Sequence, residues 1–295
     1  MKQSLSYYII LLVLKLKGLK KDFSKDPIDF KKIRKEDVPN PKGKFFGQYQ
    51  LQKFKVEDSF ITEIGLRSDS PKLLIFIHGG AFISGPAQHH WDVIRTITEA
   101  TDFKIWMCDY PKAPENNIVK ISKNIDAIYN KALEQYAPNH IRLIGDSVGG
   151  TLIASLTQRL IAKSIAIPQQ IILVSPVMDA SLTNPEIEKL DAVDPMLSRK
   201  GVLSAKKMCA GNMDLKNEII SPLYGSFEHF PATMLYLAEK DIFYPDQKLA
   251  VEKMKSANVN LNITVGENMP HVWPFLPVMK ESKIALGEII EMLKK

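Results

Sequence analysis

The 295-residue chain has two cysteines and six histidines. Two thiols cannot build a disulfide scaffold, and Cys108 sits in an apolar run, which points to burial. Cys and His do not cluster in sequence, so no metal site is expected, nor any organic cofactor. Long apolar runs are lacking as well. The run Tyr7–Leu14 (YYIILLVL) has eight residues, where a bilayer-spanning helix needs ~20. No repeat of fixed period is visible. With 45% hydrophobic and 24% charged residues, a disordered or collagen-like chain is excluded.

Charge of one sign is missing from most of the chain. The net charge is +6, but residues 1–44 hold 12 basic and 5 acidic side chains, and the other 251 residues hold 27 and 28. A basic groove across the body is therefore not expected, and no nucleic-acid partner. Pro39, Pro41 and Gly43 close the N-terminal segment as a linker. Lys15, Lys17, Lys20 and Lys21 follow its apolar run. A helix that covers apolar surface on the main body is the leading reading. The alternatives are an interfacial helix over residues 1–21 resting on anionic lipid, and a signal peptide. The last begins well with Lys2 but lacks a small-residue cleavage site. A cytoplasmic location is expected, with membrane association or secretion as alternatives.

From residue 45 the pattern alternates. FFGQYQLQKF (45–54) and FITEIGLRS (60–68) read as early strands. LLIFI (73–77), FKIWMCDY (103–110), IRLIG (141–145), IILVS (171–175), TMLYLA (233–238) and LNITV (261–265) read as further strands, and LLIFI is apolar enough to be buried on both faces. Helical spacing fills 91–100, 117–136, 147–163, 246–257 and 277–294. This predicts an α/β fold, a mostly parallel sheet with helices on both faces. Residues 179–220 contain no convincing strand and read as a helical insertion.

Gly145-Asp146-Ser147-Val148-Gly149 is G-x-S-x-G between a strand and a helix, where the motif has mechanical meaning. A tight turn strains the serine backbone, so its neighbours two positions away must be small. The hydroxyl of Ser147 is then expected to stand exposed at the sheet's C-terminal edge. His78-Gly79-Gly80-Ala81-Phe82 follows another strand. Gly80 and Ala81, with Val148 after the serine, are the expected N–H donors to an oxyanion, and Gly79 supports their approach. His78 reads as a loop-fixing side chain.

A serine nucleophile needs a base. His271 follows the strand LNITV, at the same edge as Ser147. His140 and His229 precede strands and fall at the opposite edge, and His89 and His90 are placed to line a pocket. With His271 as base, activity is expected to fall as the ring protonates near its ordinary pKa of ~6.5. Asp241, at the end of the strand TMLYLA, is the expected orienting carboxylate. Glu239 and Asp246 compete, although Asp246 suits a helix cap.

The segments HGGAF (78–82), DYPKAPE (109–115), GDSVGG (145–150), SPVMD (175–179), DPMLS (194–198), SPLYG (221–225) and PHVW (270–273), with Asp241, run in the order found in one family. The chain resembles the hormone-sensitive-lipase-like carboxylesterases of the α/β-hydrolase superfamily over roughly residues 70–290. The resemblance implies the α/β-hydrolase fold and a carboxylesterase that uses Ser147, Asp241 and His271. It also implies an oxyanion hole at Gly80, Ala81 and Val148, without a metal or cofactor. Residues 1–44 and about 180–220 would form a cap over the catalytic domain 45–295. Ala81 and Val148 are larger than the family's usual residues, which favours small or short-acyl esters. An amidase, lactonase or deacetylase with the same triad is the alternative enzyme. A non-catalytic small-molecule binder is the alternative of another class.

Overall fold

LLIFI is buried along its whole length, and the strands on both sides of it are buried through their centres. Such strands have no face to offer water, so helices must cover both sides of the sheet. A computed structural model describes residues 3–48, 51–66 and 70–295. The helices are α1 (Leu5–Lys17), α2 (Leu19–Asp22), α3 (Phe30–Ile33), α4 (Lys44–Gln48), α5 (Gln88–Ala100), α6 (Ile118–Leu133), α7 (Val148–Ala162), α8 (Ile187–Val193), α9 (Arg199–Ala210), α10 (Tyr244–Ser256) and α11 (Lys280–Leu293). The strands are β1 (Gln52–Val56), β2 (Ser59–Ile64), β3 (Leu73–Ile77), β4 (Lys104–Asp109), β5 (Ile141–Asp146), β6 (Gln170–Val174), β7 (Ala232–Ala238) and β8 (Leu261–Gly266).

These strands form one eight-stranded sheet in the order β1-β2-β4-β3-β5-β6-β7-β8. β1 and β2 pair antiparallel, and so do β2 and β4. From β4 through β8 every pairing is parallel. The loops after β3, β5, β7 and β8 therefore leave the sheet at one edge, where open α/β sheets place their chemistry.

One strand reading is corrected. FFGQYQLQKF begins as helix α4, and the strand starts only at Gln52. Phe46 explains the difference: it is buried edge-on against Trp91, with ring centroids 5.8 Å apart. Residues 49–50 of this segment, 67–68 of the next, and Lys2 lie outside the described residues.

The N-terminal segment straps across the loop after β3. Arg34 donates to the carbonyls of Ile83 (2.6 Å) and Ala113 (2.7 Å) and holds the Glu115 carboxylate with both terminal nitrogens. Asp37 accepts from Gly85 N at 2.7 Å, and Val38 N donates to Pro86 O at 2.6 Å. The segment also meets the insertion between β6 and β7. Ile28 N donates to Ser204 Oγ of α9 at 3.0 Å. A side chain at Gly201 would collide with Phe23 O, so the two segments pack backbone to backbone.

Candidate active site

The turn from β5 into α7 holds Ser147 at φ 53°, ψ −122°, a region that costs a non-glycine residue of order 1–3 kcal/mol. The surroundings enforce it. Ser147 N donates to Val174 O at 2.8 Å, and Val177 N reaches Ser147 O at 3.3 Å. A Cβ at Gly149 would lie 1.9 Å from Ile77 O, and one at Gly145 2.7 Å from the same atom. Both neighbours must therefore be glycine. Contrary to the expected exposed hydroxyl, Ser147 is only 8% exposed.

Asp241 and His271 meet. His271 Nδ1 lies 2.7 Å from Asp241 Oδ2, and both side chains are buried. Asp241 is itself fixed: Oδ1 accepts from Phe243 N at 3.0 Å and Oδ2 from Gln247 Nε2 at 3.4 Å. The His271 loop is pinned by Val272 N on Ser175 Oγ (3.0 Å) and by Trp273 Nε1 on Leu237 O (2.9 Å). Burial works against a charged His271 ring, but the carboxylates of Asp241, Asp194 and Asp146 outweigh it and raise its pKa above 6.5.

The loop after β3 presents unusual backbone. Gly80, Ala81 and Phe82 have φ of 120°, 56° and 67°. Among the described residues, the N–H groups of Gly80, Ala81 and Val148 have no acceptor. Gly79 N instead donates to Asp146 Oδ1 at 2.9 Å. His78 is stacked on Tyr110, with centroids 4.5 Å apart, and its Nδ1 lies 2.6 Å from Gly79 O. Burial, then the charge of Lys112, keeps its pKa far below 6.5, so it is neutral and braces the loop. His140 and His229 precede β5 and β7 at the far edge.

Of the rival carboxylates, Glu239 accepts from Asn268 N at 2.9 Å. Asp246 is not a helix cap: it makes no bond to the first turn of α10 and accepts from Asn184 Nδ2 at 2.9 Å.

Three residues carry more than their motifs announce. Asp146 is the hub beneath the serine. His90 Nδ1 accepts from Ala87 N at 2.9 Å, which leaves the ring proton on Nε2, 3.2 Å from Asp146 Oδ1. Burial alone would raise Asp146, but His90, His89 and the Gly79 N–H overcome it and hold the carboxyl at about 2. His90 is buried and packs against the Ser147 turn rather than lining a pocket. Asp194, in DPMLS, accepts from Met196 N (2.7 Å), Leu197 N (2.9 Å) and Ile242 N (3.0 Å). It clamps the backbone next to Asp241, and burial followed by the Asp241 charge raises its pKa to about 7. In the sequence its one signal is its place at the head of the DPMLS segment. His89, His90 and Asp146 have ligand atoms within 4.8 Å of one another, but Asp146 Oδ1 already accepts from Gly79 N.

A model of the alpha/beta hydrolase fold matches residues 74–275. The chain is 28% identical to an esterase of Acinetobacter venetianus over 232 residues, 78% of this chain and 77% of that one. It is 25% identical to the esterase LipU of Mycobacterium tuberculosis, over 74% of this chain and 77% of the relative. In structure it superposes on an esterase from the bacterial hormone-sensitive lipase family with a TM-score of 0.88 at 22% identity, covering 100% of this chain and 99% of the other. The chain belongs to the α/β-hydrolase fold family, as an esterase- and lipase-type hydrolase.

Proposed function

We propose that the chain hydrolyses small or short-acyl carboxylic esters, with Ser147 as nucleophile, His271 as base and Asp241 as its orienting partner. The observation that carries this is the 2.7 Å His271–Asp241 bond at the same sheet edge as a serine held at φ 53°. With Nδ1–H committed to Asp241, the Nε2 lone pair takes the Ser147 proton as Oγ attacks the carbonyl carbon. The N–H groups of Gly80, Ala81 and Val148 receive the oxyanion. His271 then gives its proton to the leaving alcohol, and water, deprotonated by the same ring, releases the acid. Residues 1–44 and 180–220 act as the cap that keeps Ser147 nearly dry, and the Ala81 methyl and Val148 side chain limit acyl size.

The base works only unprotonated. Its pKa is raised in the folded protein, so the acid limb of kcat/KM for p-nitrophenyl butyrate has its midpoint above 6.5, not at the free-imidazole value. A pH–rate profile of the purified chain checks this. A midpoint below 6 contradicts the carboxylate coupling, and absence of turnover at every pH contradicts the ester reading itself.

The N-terminal helix supports a second role. Leu5, Tyr8, Ile9, Leu12, Val13 and Leu16 follow the i, i+3, i+4, i+7 spacing of one helix face, and all six are exposed, Leu5 and Leu16 at 77%. The opposite face docks on the body through buried Tyr7 and Leu14. The Tyr7 hydroxyl donates to Asn268 O at 2.9 Å, and Ser4 N and Oγ donate to Glu281. Lys15, Lys17 and Lys21 are exposed beside the stripe. No helix among the described residues is long and apolar enough to cross a membrane. An apolar stripe edged by lysines suits an anionic lipid surface. Co-sedimentation is expected with phosphatidylglycerol-containing vesicles and not with pure phosphatidylcholine, and it is lost in Leu12→Glu/Leu16→Glu. No binding to either contradicts this role, and a dimer abolished by the same substitutions places a second copy on the stripe instead.

A further inference from the structure

Lys206, in α9, is 1% exposed. Its Nζ lies 4.5 Å from the ring centroid of Phe82 and 5.9 Å from that of Phe243. Phe82 directly follows Ala81 in the loop after β3. Phe243 meets His271 edge-on, with centroids 5.4 Å apart. The ammonium therefore touches one ring that belongs to the loop after β3 and one ring that packs on His271.

Among the described residues, no carboxylate pairs with Lys206 and its Nζ donates no hydrogen bond. That is unusual, because lysine is almost never fully buried without a partner. Contact with two aromatic rings offsets part of the lost hydration but leaves the three N–H donors unused. Nor is the charge needed to dock α9. Its neighbours do that, with Gly201 against the Phe23 carbonyl and Ser204 receiving Ile28 N. An apolar side chain of the same length would fill the slot without dehydrating an ammonium. Burial draws the Lys206 pKa down to about 7, with only Cys209 opposing it, so the charge is poorly supported until an anion joins it.

We infer that Lys206 is the subsite for a carboxylate on the substrate, and that the preferred esters carry such a group on the acyl or the alcohol side. The inference rests on the ester-hydrolysis reading above. A single ammonium between apolar rings suits a monoanion on a short apolar arm. A phosphate would call for more donors than one lysine offers.

Two pairs of substrates test it. Monoethyl adipate carries the carboxylate on the acyl side, and 4-acetoxybenzoate carries it on the alcohol side. Each is compared with its primary amide, which has the same shape and no charge. In the wild type, one of the two acids is expected to exceed its amide in kcat/KM by tenfold or more. That ratio is expected to collapse by at least tenfold in Lys206→Met and to return in part in Lys206→Arg. The side on which the preference appears identifies where the carboxylate lies. If the wild type turns over both amides but favours neither acid, the inference fails and the esterase reading stands. A ratio that survives Lys206→Met overturns the inference in the same way. If no member of either pair is hydrolysed, the ester reading fails and takes this inference with it. Where the methionine variant does not fold, Lys206→Gln, which also removes the charge, is read in its place, with the same collapse of the ratio expected and a surviving ratio overturning the inference.

Discussion

Ser147→Ala is expected to abolish the proposed ester hydrolysis, with kcat for p-nitrophenyl butyrate falling about 10⁶-fold, the loss that follows when the nucleophile of a triad is removed. No other residue can take its place. The geometry that makes a hydroxyl reactive here is supplied by backbone: the turn at φ 53°, the Val174 carbonyl on Ser147 N, and the Ile77 carbonyl packed against Gly145 and Gly149. Those features do not depend on Oγ. The alanine variant keeps the same turn and the same neighbours, so its melting temperature is expected to stay within a few degrees of the wild type. Ser175, on the neighbouring strand end, has its Oγ occupied by Val272 N and is no substitute. Activity within tenfold of the wild type in a well-folded Ser147→Ala contradicts the assignment.

Asp241→Asn is expected to lower kcat about 10⁴-fold while leaving the fold intact. The reason lies in the two oxygens of this carboxylate. Oδ1 receives Phe243 N and Oδ2 receives His271 Nδ1, so the site requires two acceptors and asparagine offers one. If the amide nitrogen faces Phe243, two donors oppose each other beside the base. If it faces His271, Nδ1 must become the acceptor, and the ring proton moves to Nε2, where it blocks proton transfer from Ser147. Asp194 does not rescue the variant, because its oxygens are committed to Met196, Leu197 and Ile242. With the Asp241 charge gone, the His271 pKa also falls, so residual activity shifts its acid limb to lower pH. A variant with near-normal kcat, or with an unmoved acid limb, contradicts the role of Asp241.

How far these residues can be read from the sequence depends on the range of the interaction. The buried strands announce themselves as uninterrupted apolar runs. Their parallel order then places each following loop at one edge, which is why Ser147 and His271 stand out from His140 and His229 in the sequence alone, while Glu239 leaves the sheet at the same edge as Asp241 and is set apart only by its bond to Asn268 N. Local periodicity fails at residues 45–48. There Phe46 enters the core beside Trp91, a contact across more than forty residues that outweighs a two-residue alternation. Asp246 resembles a helix cap by position and instead holds Asn184. Asp146 and Asp194 are visible in the sequence only as letters within GDSVGG and DPMLS. Their roles come from donors far away in sequence, at Gly79, His90 and Ile242. Lys206 and Lys207 are indistinguishable as text. Only the docking of α9 decides that Lys206 is buried between Phe82 and Phe243.

Ser147 as a nucleophile activated by the buried His271–Asp241 pair is the centre of the proposed mechanism. Its most direct test is the mass of the intact protein after brief treatment with a fluorophosphonate, followed by peptide mapping. One phosphonate per chain, on the peptide that carries Ser147 and absent in Ser147→Ala, is the predicted result. An unlabelled wild-type protein, or a label on any other residue, would contradict that mechanism.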